Sequence, residues 1–168
     1  MGPTELTVVR GDITQQQVDA VVNAANRAMR GGGGVDGAIH RAGGSAVLDD
    51  CIARFPHGLE TGAAGWTTAG NLPARWVIHV VGPNFTAGER DRAFLTSCYS
   101  NALRVADELG ARSIAFPLVS AGIYGWPLDD AAAAAVDTVR ATATDVETAR
   151  IVAFGDAAFD AVTLALSS

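Results

Sequence analysis

The chain has 168 residues and a mass of 17.2 kDa; its formal charge is −6, its pI is near 4.9, and it is 49% hydrophobic and 18% charged. That length sets an expectation of one domain over residues 1–168, able to bury a core without disulfide staples, and the aliphatic content excludes a disordered chain. All twelve basic residues are arginine, which excludes a Walker-A loop, a Schiff-base enzyme and a pyridoxal phosphate site, since each needs a lysine amine; an acidic balance without a basic run also argues against broad nucleic-acid binding.

At the start, Met1-Gly2-Pro3-Thr4-Glu5 lacks the basic stretch and apolar run of a leader, and Leu6 stands where a myristoylation motif has Ser or Thr. The longest apolar run, Ala131–Val136, is too short to span a bilayer. The expectation is a soluble, cytoplasmic protein with no membrane partner. Leu6–Val9 and Ala20–Val22 read as strands, followed by a glycine run and the helix-like Ala38-Ile39-His40-Arg41-Ala42. Cys51 and Cys98 are the only cysteines; two isolated ones make neither a disulfide framework nor a zinc knuckle and read as small apolar helix residues. Trp76–Val81 is the clearest strand, stopped by Gly82-Pro83. A helix is expected from Asp91 to Leu109, with its apolar stripe at Leu95, Cys98, Ala102, Val105 and Leu109 and its stop at Gly110. Ser113–Phe116 and Ile151–Phe154 are further strands, and between them a helix follows Pro127, with Asp129-Asp130 early and Arg140 late. Strands that are apolar on both faces and alternate with helices predict an α/β domain with a largely central sheet.

Two loops carry the chemistry. In the first, the strand ending in Val22-Asn23-Ala24-Ala25-Asn26 leads into Gly31-Gly32-Gly33-Gly34-Val35-Asp36-Gly37 and then a helix. Four successive glycines let backbone N–H groups form a concave nest, and a nest at a helix N-terminus holds a diphosphate without a cation. A glycine run is a flexible linker in many settings, but linkers rarely sit between a core strand and a helix of one domain. Gly32, Gly34 and Gly37 also satisfy G-x-G-x-x-G, yet the second strand and the acidic residue of a dinucleotide fold do not follow. Taken singly, Asp36 is equally a helix cap, and Asn23 and Asn26 are equally turn formers. Together they place two amides and a carboxylate around an anion-binding loop.

The second loop, Phe116–Pro127, again joins a strand to a helix start. Leu118 breaks the G-x-S-x-G elbow of a serine hydrolase, so Ser120 reads as a hydrogen-bond donor rather than a nucleophile. Tyr124 is placed either against a flat or sugar-like ligand or in ordinary loop packing. His40, His57 and His79 have no metal-ligand spacing, and no metal or cofactor is expected. His79 reads as a satisfied core histidine, and His40, four residues after Asp36, as its partner.

The ordered set Gly11-Asp12-Ile13-Thr14, Val22–Asn26, Gly31–Gly44, Leu72–His79 and Phe116–Pro127 resembles the macrodomain family, and within it the MacroD-type ADP-ribosylhydrolases. That resemblance spans nearly the whole chain. It implies a three-layer α/β/α sandwich with a central mixed sheet, binding ADP-ribose above the strand ends. It further implies that Asp12 accepts from the adenine amino group with Ile13 beside it and Phe154 packed nearby. Gly32, Gly33, Gly34 and Val35, with Ser120, Ala121, Gly122, Ile123 and Tyr124, would cradle the diphosphate and distal ribose, and Asn23 belongs to the same binding set. Asn26 and Asp36 are the implied catalytic pair: Asn26 fixes the ribose hydroxyls, and Asp36 polarises a water with the ligand's own phosphate as a helper.

The implied activity is release of mono-ADP-ribose from Asp or Glu side chains, with deacetylation of O-acetyl-ADP-ribose. The alternative is a reader module that binds without turnover. Implied partners are ADP-ribose and ADP-ribosylated proteins, nucleic acid only if itself ADP-ribosylated, and the expected state is a monomer. The missing glutamate pair separates the chain from poly(ADP-ribose) glycohydrolases, the missing lysine from a lysine-dependent branch, and the retained Asp36 from many readers. Three positions depart from the family pattern: Ala121 in place of Ser or Thr, Thr61-Gly62-Ala63-Ala64 without a glutamate, and Gly155 in place of an acidic residue. No role is assigned to residues 57–70.

Overall fold

The computed structural model describes residues 3–168; Met1 and Gly2, on which the leader and myristoylation readings partly rest, lie outside the described residues. In chain order the elements are β1 (Glu5–Arg10), a single 3-10 turn (Ile13–Gln15), β2 (Val18–Ala25), α1 (Gly34–Gly43), α2 (Ser45–Arg54), β3 (Ala64–Thr68), β4 (Ala74–Val81), α3 (Arg92–Leu109), β5 (Ser113–Phe116), α4 (Leu128–Ala141), β6 (Thr148–Ala153) and α5 (Asp156–Leu166). The strands form one sheet in the order β1-β6-β5-β2-β4-β3; only β3 runs antiparallel, against β4.

Parallel strands need helical crossovers, so both faces of the sheet are covered and the strands are apolar on both sides. On one face, Ala20, Val22, Ile78, Val80, Ile114, Phe116 and Ile151 pack against α3, α4 and α5. On the other, Val21, Val77, Ala115 and Val152 meet Ile39 of α1 and Ile13 of the 3-10 turn, while Val47 and Cys51 of α2 close over Ala25 and Val81. This is the mixed-sheet α/β/α sandwich that the sequence leads one to expect. Alanines at 131, 132, 134 and 135 are fully buried, which lets α4 lie close to its neighbours. No helix among the described residues is long and apolar enough to cross a membrane.

The helix α3 starts at Arg92, one residue inside the expected bound, because the Asp91 side chain caps it by accepting from Ala93 N at 3.0 Å, and it stops at Gly110 in the left-handed conformation, as its sequence signal requires. Both cysteines are buried in helices and unpaired; burial pushes the Cys51 thiol up to about 11 and the Cys98 thiol up to about 12, so neither is a ready thiolate. One strand boundary differs from expectation. The last strand ends at Ala153, and Phe154 stands beyond it with 91% of its surface exposed. Gly155 at φ +100 turns the chain into α5 there.

Candidate functional site

The carboxyl ends of β1, β6, β5 and β2 open into one cleft of about 820 Å³, walled by Gly11–Ile13, Gly32–Asp36, Pro117–Tyr124 and Val152–Phe154. Crevices of this kind, above the carboxyl ends of parallel strands, are where open α/β sheets bind ligands.

The glycine run forms the rim leading into α1. Gly31 (φ +92) and Gly34 (φ +59) adopt left-handed conformations, and α1 starts at Gly34 with its first N–H groups at the cleft. Gly37 has a separate role from the one its place in G-x-G-x-x-G suggested. A Cβ there would stand 2.5 Å from the Gly32 carbonyl oxygen, so its bareness lets the helix press against the loop.

Asp36 occupies the first turn of α1 and is only 4% exposed. Its Oδ1 accepts from Asn23 Nδ2 at 2.8 Å and lies 3.4 Å from His40 Nε2, the i,i+4 pairing expected from the sequence. Its Oδ2 points elsewhere: a Cβ on Gly32 would meet Asp36 Oδ2 at 3.1 Å and Asn26 Nδ2 at 3.2 Å, so the carboxylate and the amide flank that glycine. Burial raises the Asp36 pKa; the Asn23 hydrogen bond and the nearby His40 pull it down, less strongly. A carboxylate moved towards neutrality is a stronger base than an exposed one.

Asn26 follows the end of β2 and ties the loop: its Nδ2 donates to Gly31 O at 3.2 Å, and its Oδ1 accepts from Met29 N at 3.2 Å. Asn23 is placed differently from the other residues of the expected binding set. It lies inside β2, fully buried behind the cleft lining, and reaches the site only through Asp36. Its position in a strand, facing the α1–α2 layer, dictates this.

Residues 57–70, left without a role by sequence, hold the first loop from behind. Leu59 N donates to Arg27 O at 2.9 Å, and Gly58 (φ +74) packs so closely on that carbonyl that no Cβ would fit. Arg30 Nη2 donates to Phe55 O at 3.1 Å. Thr61 Oγ1 donates to Glu89 at 3.4 Å, and Glu89 also pairs with Arg27 at 3.2 Å.

In the second loop Ser120 carries two unusual features. Its φ is +66, a conformation L-residues rarely hold, and its Oγ is buried without a hydrogen-bond partner. Backbone strain and an orphan hydroxyl in one cleft residue are the combination expected where a ligand completes the site. Other elements pin the loop around it. Tyr99 OH of α3 accepts from Val119 N at 3.0 Å, Trp126 N donates to Ser120 O at 2.9 Å, and Thr86 N donates to Tyr124 O at 3.0 Å. A Cβ on Gly82 would collide with Ser120 Oγ. Tyr124 is half-buried, and burial, with Glu89 nearby, raises its phenol pKa. Ala121 and Gly122 line the cleft, and Ile123, 73% exposed, leans over Gly33 and Gly34.

At the opposite end Asp12 caps the 3-10 turn, its Oδ1 accepting from Thr14 N at 2.9 Å and from Thr14 Oγ1 at 2.7 Å. Both bonds use the same oxygen, which leaves Oδ2 for a ligand. Ile13 and Val35 lie beside it, and Phe154 stands exposed at the rim. One charged wall residue stands outside the set expected from sequence: Arg41, the only arginine lining the cleft among the described residues. Its place one turn beyond Gly37 on α1 was the available signal.

A Macro domain family model matches residues 22–135. A macro domain-containing protein of Streptomyces coelicolor is 55% identical over 94% of this chain and 96% of its own length. A Salmonella typhimurium protein named O-acetyl-ADP-ribose deacetylase is 52% identical over 81% of this chain and 78% of its own. Among solved structures, the Oceanobacillus iheyensis macrodomain with ADP superposes at a TM-score of 0.89 with 36% identity, covering 95% of this chain and 88% of that one. The Trypanosoma brucei macrodomain in complex with ADP-ribose gives 0.89 at 37% identity, covering 96% of this chain and 69% of that one. With a family model matched over more than half its length and relatives of this identity, the chain belongs to the macro domain family.

Proposed function

We propose that this protein binds ADP-ribose in the cleft and hydrolyses its esters, releasing mono-ADP-ribose from Asp or Glu side chains and deacetylating O-acetyl-ADP-ribose. The observation that carries this reading is Asp36: a buried carboxylate with Oδ1 held by Asn23 and Oδ2 free beside Asn26 at the glycine rim. The names of the ADP-ribose-bound structural neighbour and of the deacetylase relative support it.

In this reading the backbone N–H groups of Gly32–Val35 and of the Ser120–Tyr124 loop, with Ser120 Oγ, hold the diphosphate. Asp12 Oδ2 accepts from the adenine amino group with Ile13 and Phe154 alongside, and Asn26 fixes the distal ribose. Asp36 Oδ2 takes a proton from a water lying against the ester, the ligand's phosphate helping to orient it. Water oxygen bonds to the acyl carbon, the bond from that carbon to the ribose oxygen breaks, and the ribose oxygen recovers the proton. The products are a carboxylic acid and ADP-ribose. Asn23 acts as a positioning residue rather than a ligand contact. The same reading makes the protein a cytoplasmic monomer whose partners are ADP-ribosylated proteins, and nucleic acid only if itself ADP-ribosylated.

The test is release of free ADP-ribose from a glutamate-modified protein, with acetate release from O-acetyl-ADP-ribose assayed beside it. Turnover of either ester supports the hydrolase; ADP-ribose binding with neither ester cleaved identifies a reader.

A further inference from the structure

Behind the cleft, four side chains from four elements form a hydrogen-bonded chain in which every donor is fixed by the last. His79 Nδ1 of β4 faces an amide nitrogen, Asn23 Nδ2, which can only donate, and Nε2 faces Thr67 Oγ1 of β3 at 2.8 Å, a hydroxyl that has Thr68 O at 3.0 Å to take its own proton. His79 therefore carries its proton on Nε2, and its Nδ1 is a lone pair. That lone pair accepts from Asn23 Nδ2 at 3.0 Å, and the second hydrogen of the same nitrogen goes to Asp36 Oδ1 at 2.8 Å. The sheet enforces the alignment, since Asn23 of β2 and His79 of β4 are register partners.

No other group among the described residues holds the Asn23 side chain. Its Oδ1 is buried without a partner, so its amide orientation rests on the two groups that face Nδ2. Rotating the amide would turn Oδ1 towards the Asp36 carboxylate, exchanging an attraction for a repulsion. The groups facing His79 favour its neutral form on balance. Burial dominates, His40 of α1 acts in the same direction with ring centroids 6.3 Å away, and Asp50 of α2 opposes them; His79 is pushed down to about 3. Asp36 lies beyond Asn23, and Cys51 Sγ is 3.7 Å from Nε2 with its thiol neutral.

We propose that His79 is a positioning residue for the hydrolytic site: through its Nδ1 lone pair it locks the Asn23 amide, and the locked amide keeps Asp36 ionised with Oδ2 aimed into the cleft. This rests on the reading of Asp36 as the base. The relay and the hydrolase can nevertheless fail separately, because the relay has readouts that need no turnover.

Heteronuclear NMR of the wild-type imidazole should show His79 protonated on Nε2 alone between about pH 5 and 8, the range in which a free imidazole would titrate; a proton on Nδ1 overturns the proposal. NMR titration of the Asp36 carboxyl should show its pKa higher in His79→Leu than in wild type by about one pH unit. His79→Asn, which places an acceptor oxygen near the Nδ1 position, should restore most of the difference. An unmoved Asp36 titration in folded His79→Leu, or an Asn variant behaving like Leu, overturns it. In ester hydrolysis, kcat of His79→Leu should fall about tenfold with ADP-ribose affinity retained and the acid limb of the pH profile moved upward. Equal losses in kcat and affinity with an unmoved limb would mark a merely structural histidine. A wild type without turnover would sink the hydrolase and leave the two NMR readouts to decide the relay.

Discussion

The two ends of the cleft are built differently. At the Asp36 end the functional side chains are held in place: Asp36 is buried and tied to Asn23 and His40, Asn26 is bonded to both Gly31 and Met29, and residues 55–61 brace the loop behind them. At the Asp12 end one carboxylate caps a short turn, and a bare phenylalanine projects into solvent. Pre-set groups cost nothing to reorganise when reaction occurs, whereas an exposed aromatic contributes only once a flat ligand covers it. The contrast suggests chemistry at the rigid end and recognition at the open end.

Substitutions can break that contrast, and the largest effect belongs to the rigid end. Asp36→Ala should lower turnover of O-acetyl-ADP-ribose by about 10²–10⁴-fold, the range for loss of a general base, while calorimetric ADP-ribose affinity changes only a few-fold. Equal losses in both would make Asp36 a binding group.

Next comes acid stability. His79 has a folded pKa of about 3 against an ordinary 6.5, so the unfolded chain takes up the proton first. The stability tied to its neutral form is fully present above about 6.5 and is lost as pH falls towards 3, at about 1.4 kcal/mol per pH unit. Asp36, raised by burial, works in the opposite direction above its ordinary 3.8. Urea unfolding of wild type and His79→Asn across this window should show a shallower slope in the variant.

A smaller effect is expected at Ser120. Ser120→Gly removes a strained φ worth about 1–3 kcal/mol, partly offset by glycine's greater unfolded freedom, so thermal stability should hold or rise. ADP-ribose affinity should drop about fivefold with the lost hydroxyl. A fall in both would show that the serine stabilises the empty loop. Smallest is Phe154→Ala, which should weaken ADP-ribose binding by about 0.5 kcal/mol, roughly twofold, and leave the melting temperature unchanged.

Local signals made much of this legible from sequence. The glycine run, the caps of α3 and the continuous apolar strands each carry their structure in a short window, and the resemblance ordered them into one cleft. The i,i+4 pairing of Asp36 with His40 was readable for the same reason. Asn23 was not: helix spacing relates Asp36 to His40, but only sheet register and burial reveal that Asn23 stands behind the carboxylate. β3, an edge strand with the mixed sequence Ala-Gly-Trp-Thr-Thr, has no clear alternation to mark it, and α5 likewise stands outside the elements expected from sequence. Residues 57–70 were silent because their contacts are long-range: Leu59 N on Arg27 O is a backbone bond that any sequence would offer, and Thr61 and Thr67 meet Glu89 and His79 only once the fold brings them together. The apolar run extends one residue further than the strand, to Phe154, whereas pairing ends at Ala153 ahead of the turn at Gly155.

The central claim is that a buried, pre-held carboxylate supplies the base, and the pH dependence of kcat for wild-type ester hydrolysis tests it most directly. The account predicts an acid limb governed by one group with a pKa above the ordinary 3.8 of an aspartate, activity rising as that group loses its proton. A rate that stays flat down through pH 4, or a limb that persists unchanged in the residual activity of Asp36→Ala, would contradict it.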